Sequence, residues 1–149
     1  MQELDLKIIN GTIANATETF YSDIGIKDGL IVSIGKNIGE AKRVIDAAGK
    51  FVLPGGIEAH CHIEQESSGG IMTSDDYYSG SVSAAFGGNT CFIPFAAQHR
   101  GQKLHDVLEL YHSRAKPKSV IDYSFHLIIS DPSDEVINQE LPNVIEQGI

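Results

Sequence analysis

The pattern of apolar residues changes near residue 53, and this change constrains the fold more than any other feature. Before it, short β-branched runs are separated by turn signals, and after it, strands alternate with amphipathic helices. Asn10-Gly11 and Asp28-Gly29 are typical of two-residue hairpins, so the first part predicts a small antiparallel sheet or sandwich. Strands that alternate with helices are typical of a parallel sheet or barrel, which is the prediction for the second part.

The second part contains three predicted strand–helix units and the start of a fourth. A helix is predicted from a cap at Ser74 to about Phe86, because Gly87-Gly88 stops it. A second helix is predicted from apolar residues at helical spacing. These residues are Leu104, Val107, Leu108, Tyr111 and Ala115. The strands of these units are predicted at 53–62, 89–95 and 120–129, and a helical stretch interrupted by Pro142 follows.

Composition excludes several classes of function. The chain carries 11 basic and 20 acidic residues, a formal net charge of −9, and no basic cluster, so we expect no nucleic-acid partner. No apolar run approaches the roughly 20 residues that span a membrane, and the first residues do not resemble a signal peptide. Two cysteines are too few for a disulfide framework. We therefore expect a cytoplasmic protein that has no membrane partner.

The segment Pro54–His62 carries the clearest chemical signal. It contains His60 and His62 at the end of the first predicted parallel strand. Side chains at i and i+2 share one face of a strand, about 6.5 Å apart, so the two imidazoles can bind one metal ion while Cys61 faces away. Active sites of barrel enzymes lie at this end of the strands. The alternative is a pair of half-buried histidines without a metal.

Several motifs in order make the chain recognisable. They are Pro54–His62, Gly70–Tyr77, Ala84–Thr90 and Asp122–Leu127. Together they resemble the cyclic amidohydrolases of the amidohydrolase superfamily, most closely the dihydropyrimidinase and hydantoinase group. The resemblance extends over essentially the whole chain.

The resemblance implies an α/β fold. Residues 1–52 are expected to form the N-terminal part of a β-sandwich domain. Residues 53–149 are expected to form the first three βα units of an incomplete (β/α)₈ TIM barrel, the first part of a metal-dependent hydrolase. A complete barrel of this type needs about 250 residues, more than the 149 of this chain.

The resemblance also implies a cofactor and a reaction. Family members hold two divalent metal ions, usually Zn²⁺, bridged by a carboxylated lysine, and His60 and His62 match the first two ligands. The lysine, two further histidines and the catalytic aspartate are expected beyond Ile149. The expected reaction of the full-length protein is hydrolysis of the cyclic amide bond of dihydropyrimidines or hydantoins. The 149-residue chain would therefore contain no catalytic acid or base and would be inactive alone.

Further site residues follow from the same resemblance. Glu58 stands where the family usually has Asp, and it is expected to support the metal ligands. Independently of the resemblance, the strand position of His126 fits either a residue that supports these ligands or a hydrogen-bonded core histidine. The segment after His62 corresponds to a substrate gate, which is apolar in hydantoinases and mostly polar here. The expected gate residues are Ile63, Glu64, Gln65 and Ser67. A polar gate favours a small ring such as 5,6-dihydrouracil over an aryl hydantoin.

Other interpretations stay open at this point. A non-catalytic relative, such as the collapsin-response mediator proteins, shares the fold but lacks metal ligands, which the intact histidine pair argues against. Allantoinase and dihydroorotase are alternatives within the enzyme class, and a truncated product without activity is another. The expected partners are a small cyclic ureide substrate and, for the full-length protein, identical subunits in a homotetramer.

Overall fold

The computed structural model describes residues 3–67 and 69–149. They form two compact units that divide between Pro54 and Gly55. The first unit is one sheet in the order β3-β2-β1-β4, with β5 also paired to β1. Its strands are β1 (Leu4–Ala14), β2 (Thr19–Lys27), β3 (Leu30–Gly35), β4 (Ala41–Asp46) and β5 (Phe51–Val52).

One of the two predicted hairpin turns is confirmed and the other is wrong. Asp28 and Gly29 both have positive φ, 50° and 76°, and join β2 to β3. Asn10 also has positive φ, 61°, but β1 continues through it, with a shift in register between Ile8 and Gly11. The left-handed conformation that an Asn-Gly pair favours thus produces a β-bulge here. The chain reverses instead at residues 15–18, between β1 and β2.

The prediction of an antiparallel sheet is wrong for two of the five strands. β1 pairs antiparallel with β2, but β4 and β5 pair with β1 in parallel. Short β-branched runs indicate where strands form, and turn residues indicate where the chain reverses. Neither signal determines which strand a later segment joins. The prediction therefore missed that β4 and β5 join β1 in parallel and make the sheet mixed.

The second unit has the predicted alternation of strands and helices. The long strand β7 lies at its centre and pairs in parallel with β6 on one side and with β8 and β9 on the other. The elements are β6 (Gly56–Cys61), α1 (Tyr77–Phe86), β7 (Asn89–Ala97), α2 (Leu104–Ala115), β8 (Asp122–Tyr123), β9 (His126–Ile128), a π-helix (Val136–Glu140) and α3 (Leu141–Glu146). The α/β class is confirmed.

The first helix begins two residues later than predicted. Asp76, not Ser74, is the N-cap residue: its carboxylate accepts a hydrogen bond from the Ser79 N–H at 2.8 Å. The Ser79 hydroxyl accepts in return from the Asp76 N–H at 3.2 Å, which completes a capping box. Asp76 itself has extended backbone angles, and the carbonyl of the preceding Asp75 accepts a hydrogen bond from the N–H of Glu64 at 2.9 Å.

Two further boundaries differ from prediction. The strand expected at 120–129 is divided into β8 and β9, and the Ser124 N–H between them bonds the Phe92 carbonyl. Pro142 does not interrupt a helix but lies in the first turn of α3. The proline lies directly after the π-helix, where the hydrogen-bond pattern of the helical stretch changes to that of an α-helix.

The core of the second unit lies between the sheet and the helices. From β7 the alternate residues Phe92, Pro94 and Ala96 point into it. The buried apolar cluster comprises Ile63, Tyr77, Phe92, Ala96, Leu104, Val107, Leu108, Tyr111, Ala115, Phe125, Val136 and Val144. The intervening residues of β7, including Phe95, therefore point to the opposite face of the sheet.

Within residues 3–67 and 69–149, the structure has no helix that combines the length and the apolar character needed to cross a membrane.

Candidate metal centre

The two histidines of the first parallel strand lie on one face of the sheet. The centroids of the His60 and His62 rings are 5.6 Å apart, and each lies 4.8 Å from the centroid of the Phe95 ring on β7. Both histidines are exposed. Cys61, between them, packs instead against the core on the helical side. The spacing i, i+2 therefore separates two imidazoles on the open face from a thiol on the packed face.

An irregularity in β6 brings a third histidine to the same place. The register between β6 and β7 shifts between Glu58 and Cys61. Within this shift, the Ala59 carbonyl accepts a hydrogen bond from His126 Nε2 at 2.9 Å. His126 is the register partner of Phe95, and the two rings lie 5.1 Å apart. Phe95 is thus surrounded by three imidazoles from two neighbouring strands.

The orientation of the His62 ring is defined by two contacts. Its plane lies within 14° of the plane of Phe95, so the two rings are stacked. Its Nδ1 is 2.6 Å from Oε1 of Gln65, three residues further along the chain. His60 meets Phe95 differently, with an angle of 70° between the ring planes. Stacking restricts the tilt of the His62 ring, and the hydrogen bond restricts its rotation.

The spacing of the histidine pair fits two ligands of one metal ion. With metal–nitrogen distances of about 2.1 Å and tetrahedral angles, the ring centroids of two bound imidazoles lie about 5 Å apart. The observed 5.6 Å is close to this separation. Catalytic zinc generally has three protein ligands, so His60 and His62 fit as part of a larger ligand set.

Glu58 and Cys61 lie toward α1. Together with an edge of His62, both line an open groove of about 360 Å³ along this helix. Oε1 of Glu58 accepts a hydrogen bond from the backbone N–H of His60 at 3.0 Å. Burial, with a smaller effect from the charge of Glu58, raises the pKa of Cys61 to about 11. Without a metal, the Cys61 thiol therefore stays protonated at neutral pH.

The residues expected to form a substrate gate have distinct environments. Ile63 is 7 % exposed, and a Cβ at Gly80 of α1 would come within 2.7 Å of its Cδ1. Both carboxylate oxygens of Glu64 accept from Lys118 Nζ at 2.8 Å. Ser67 is exposed in a turn. The structure thus anchors the start of the segment through Ile63 and Glu64.

A second group of potential ligands lies on α2. His105, Asp106 and Glu109 offer ligand atoms within 4.8 Å of one another, and all three residues are exposed. His105 Nε2 lies 3.9 Å from Glu109 Oε1, one helical turn away. Such i, i+4 pairs are typical of solvated helix surfaces and contribute little to stability.

Sequence reasoning did not identify Phe95 as part of the site, nor the contact of Gln65 with His62. Placing the carboxyl ends of neighbouring parallel strands side by side would have suggested Phe95, because it lies near the end of its strand. The bulge that frees the Ala59 carbonyl for His126 has no signal of its own in the sequence.

Comparisons with known proteins identify relatives that match nearly the whole chain. The chain is 47 % identical over 141 residues to a D-hydantoinase of Geobacillus stearothermophilus, covering 94 % of this chain and 30 % of the relative. A crystal structure of a D-hydantoinase, 46 % identical, superposes with a TM-score of 0.88 and matches 95 % of this chain and 30 % of its own.

A second solved structure belongs to a dihydropyrimidinase from Brevibacillus agri NCHU1002. It is 40 % identical, has a TM-score of 0.87, and is matched over 93 % of this chain and 30 % of its own. No protein-family model matches the chain. The chain spans about a third of the length of the curated relatives it matches.

Proposed function

We propose that this chain, which is homologous to the D-hydantoinases and dihydropyrimidinases over nearly its whole length, supplies two metal ligands of a cyclic amidohydrolase. The observation that carries the proposal is the pair His60 and His62, whose rings lie on one face of the sheet at 5.6 Å. Neutral imidazoles are common ligands of divalent metals.

The proposed reaction of the full-length protein is hydrolysis of a cyclic amide C–N bond. The substrate class is dihydropyrimidines and hydantoins, for example 5,6-dihydrouracil, which gives N-carbamoyl-β-alanine. The cofactor is a pair of divalent metal ions, Zn²⁺ in this proposal, with a bridging carboxylated lysine beyond residue 149. When bound, the metal supplies Lewis-acid polarisation of the amide carbonyl. His60 and His62 hold it on the open face.

Glu58 and His126 are proposed as residues that position the ligand strand. Glu58 accepts the N–H of His60, and His126 binds the carbonyl of Ala59. The two side chains therefore form hydrogen bonds to the N–H and to the carbonyl of the same peptide group, between Ala59 and His60. A peptide group fixed in this way restricts the backbone from which the His60 side chain projects.

The segment from Ile63 to Ser67 is proposed to border the substrate. The contacts of Ile63 and Glu64 support this, since they anchor a loop that starts directly after His62. Its polar composition favours a small polar ring over an aryl hydantoin. In assays of the full-length protein, we expect faster turnover of 5,6-dihydrouracil than of 5-phenylhydantoin, and equal turnover of the two would contradict this preference.

The larger architecture belongs to the same proposal. Residues 1–52 would form part of a β-sandwich domain, and residues 53–149 the first part of a TIM barrel. The resemblance to the family supports a cytoplasmic homotetramer in the full-length protein. The net charge of −9 supports a partner class without nucleic acid.

The decisive experiment compares histidine variants of the full-length natural protein. His60→Asn and His62→Asn are each expected to lower bound zinc, measured by mass spectrometry of the metal, and to abolish hydrolysis of dihydrouracil. His112→Asn is the matched control, because this histidine is exposed on α2 and lies outside the group formed by His105, Asp106 and Glu109. Full metal content in both site variants would refute the proposal, and metal binding without hydrolysis in the wild type would favour a scaffold.

A further inference from the structure

We propose that Gln65 is a positioning residue that fixes the tautomer of His62 and so presents Nε2 of that ring to the metal. The inference deepens the proposed function and rests on it. Its central observation is the distance of 2.6 Å between His62 Nδ1 and Gln65 Oε1. Neither the spacing of the histidine pair nor the polar character of the loop predicts this contact.

The chemistry of a neutral imidazole explains why the contact matters. One ring nitrogen carries a proton and the other carries a lone pair, and only the lone pair can bind a metal. An amide oxygen accepts hydrogen bonds but cannot donate them. When Nδ1 of His62 donates to Oε1 of Gln65, the proton is fixed on Nδ1 and the lone pair on Nε2. Ligand histidines in metal sites commonly use their second nitrogen in this way.

The ring of His62 is held in its plane as well as in its tautomer. It stacks on Phe95 with 14° between the planes and 4.8 Å between the centroids. A rotation about the Cβ–Cγ bond would break the hydrogen bond, and any rotation short of a half-turn would also break the stacking. Among the described residues, the ring of His60 has no hydrogen-bond partner. Before a metal binds, the ring of His62 is therefore more restricted in orientation and tautomer than the ring of His60.

Gln65 is itself anchored independently of His62. Its backbone N–H donates to Thr73 Oγ1 at 3.0 Å, and its carbonyl accepts from the Thr73 N–H at 3.0 Å. The preceding residue, Glu64, is held by Lys118 and has a positive φ of 47°. The amide of Gln65 thus projects from a backbone that is tied on both sides. The position of its backbone does not depend on the imidazole, so the amide can orient the ring.

The test uses two substitutions that differ in hydrogen bonding. Gln65→Met keeps the length of the side chain but removes the acceptor, and Gln65→Glu keeps an acceptor oxygen. We expect Gln65→Met to weaken zinc binding by about 10- to 100-fold in chelator competition, and Gln65→Glu to bind at least as tightly as wild type. Gln139→Met, the same substitution at an exposed position of the π-helix, is the control and is expected to leave zinc affinity unchanged. All variants are made in the full-length protein.

A second measurement reads the tautomer without metal. Long-range ¹H–¹⁵N correlation spectra of the metal-free protein are expected to show His62 with its proton on Nδ1 in wild type and Gln65→Glu. A mixture of tautomers is expected in Gln65→Met. A proton on Nε2 in the wild type, or an unchanged tautomer in Gln65→Met, would overturn the inference.

The outcomes also separate this inference from the proposed function. If His62→Asn loses zinc while Gln65→Met retains full affinity, the metal site stands and the role of Gln65 is refuted. If His60→Asn and His62→Asn both retain zinc, the proposed function fails. The role of Gln65 as a ligand-positioning residue fails with it, whichever tautomer the spectra show.

Discussion

The two faces of the sheet in the second unit differ in what they contact. Toward the helices, Phe92 and Ala96 are fully buried and pack in a continuous apolar cluster. Toward the other face, Phe95, the residue before Ala96 on the same strand, meets three exposed imidazoles. The alternation of a single strand thus separates packing that stabilises the fold from side chains that can bind a ligand. We expect substitutions on the two faces to have opposite consequences for stability and for metal binding.

The largest effect on stability is expected from Phe92→Ala. The side chain is fully buried, so its truncation removes apolar contacts and leaves a cavity. We expect a loss of about 3–5 kcal/mol in the free energy of unfolding, measured by denaturant titration. Phe86→Ala is the control, since Phe86 is 91 % exposed. An equal loss in both variants would contradict the assignment of the core to the helical side.

Gln98→Leu tests a polar contribution to the packed side. Gln98 is 2 % exposed. Its Oε1 accepts from the N–H groups of Ser130 and Asp131 at 3.0 Å, and its Nε2 donates to the Gln102 carbonyl at 2.8 Å.

Leucine would leave these backbone groups without their partner, which costs about 1–3 kcal/mol for a buried group. We expect a loss of this size in denaturant titration. The exposed Gln139→Leu should be close to neutral, and a stable Gln98→Leu would show that the carboxyl ends of β7 and β9 do not depend on this amide.

Tyr77→Phe tests the packed face through the pH dependence of folding stability. Burial, reinforced by the nearby Tyr111 and Glu64 and opposed by Arg114, raises the pKa of Tyr77. Above about pH 10 the unfolded chain loses the phenolic proton while the folded protein keeps it. Folding stability should therefore fall as the pH rises above this value, by up to about 1.4 kcal/mol per pH unit.

The variant should lose this alkaline slope. Because the hydroxyl has no hydrogen-bond partner among the described residues, Tyr77→Phe is also expected to be at least as stable as wild type at neutral pH. Thermal unfolding between pH 8 and 11 measures both effects. Tyr78→Phe is the control, since Tyr78 is 58 % exposed, and an unchanged slope in Tyr77→Phe would refute the assignment.

The smallest effect on stability is expected from His60→Asn. The side chain is exposed, so we expect a change within about 0.5 kcal/mol in the metal-free protein. The same variant is expected to lose zinc. It should therefore change metal binding and not stability, whereas Phe92→Ala should lower the free energy of unfolding. A large loss of stability without metal would show that the open face also carries part of the packing.

Local signals in the sequence predicted the parts of the structure that depend on local physics. Apolar spacing predicted α2, whose five periodic residues are all buried. The pair Asp28-Gly29 predicted a hairpin, because its positive φ angles suit a tight turn. Alternation along a strand predicted the common face of His60 and His62.

Features that depend on distant partners could not be predicted in this way. The same type of dipeptide, Asn10-Gly11, forms a bulge, because the N–H of Asn10 is bound by Asp23 from the neighbouring strand. The cap of α1 is Asp76, because Ser79 completes the capping box and the N–H of the distant Glu64 binds the carbonyl of the residue before it. Gln65 was expected to meet substrate. Its contact with His62 depends on the path of the loop that follows β6, which the local sequence does not determine.

The hydrogen bond from His126 to the Ala59 carbonyl has a consequence for the shape of the sheet. It joins β9 to β6 across the strand between them. Neighbouring strands are about 4.8 Å apart, so in a flat sheet these two would be separated by about 9–10 Å. A single imidazole spans that gap most easily when the outer strands bend toward each other. The contact therefore favours a sheet that is concave on the side of the histidines. His60 and His62 then lie at the base of a concave surface and not on a flat one.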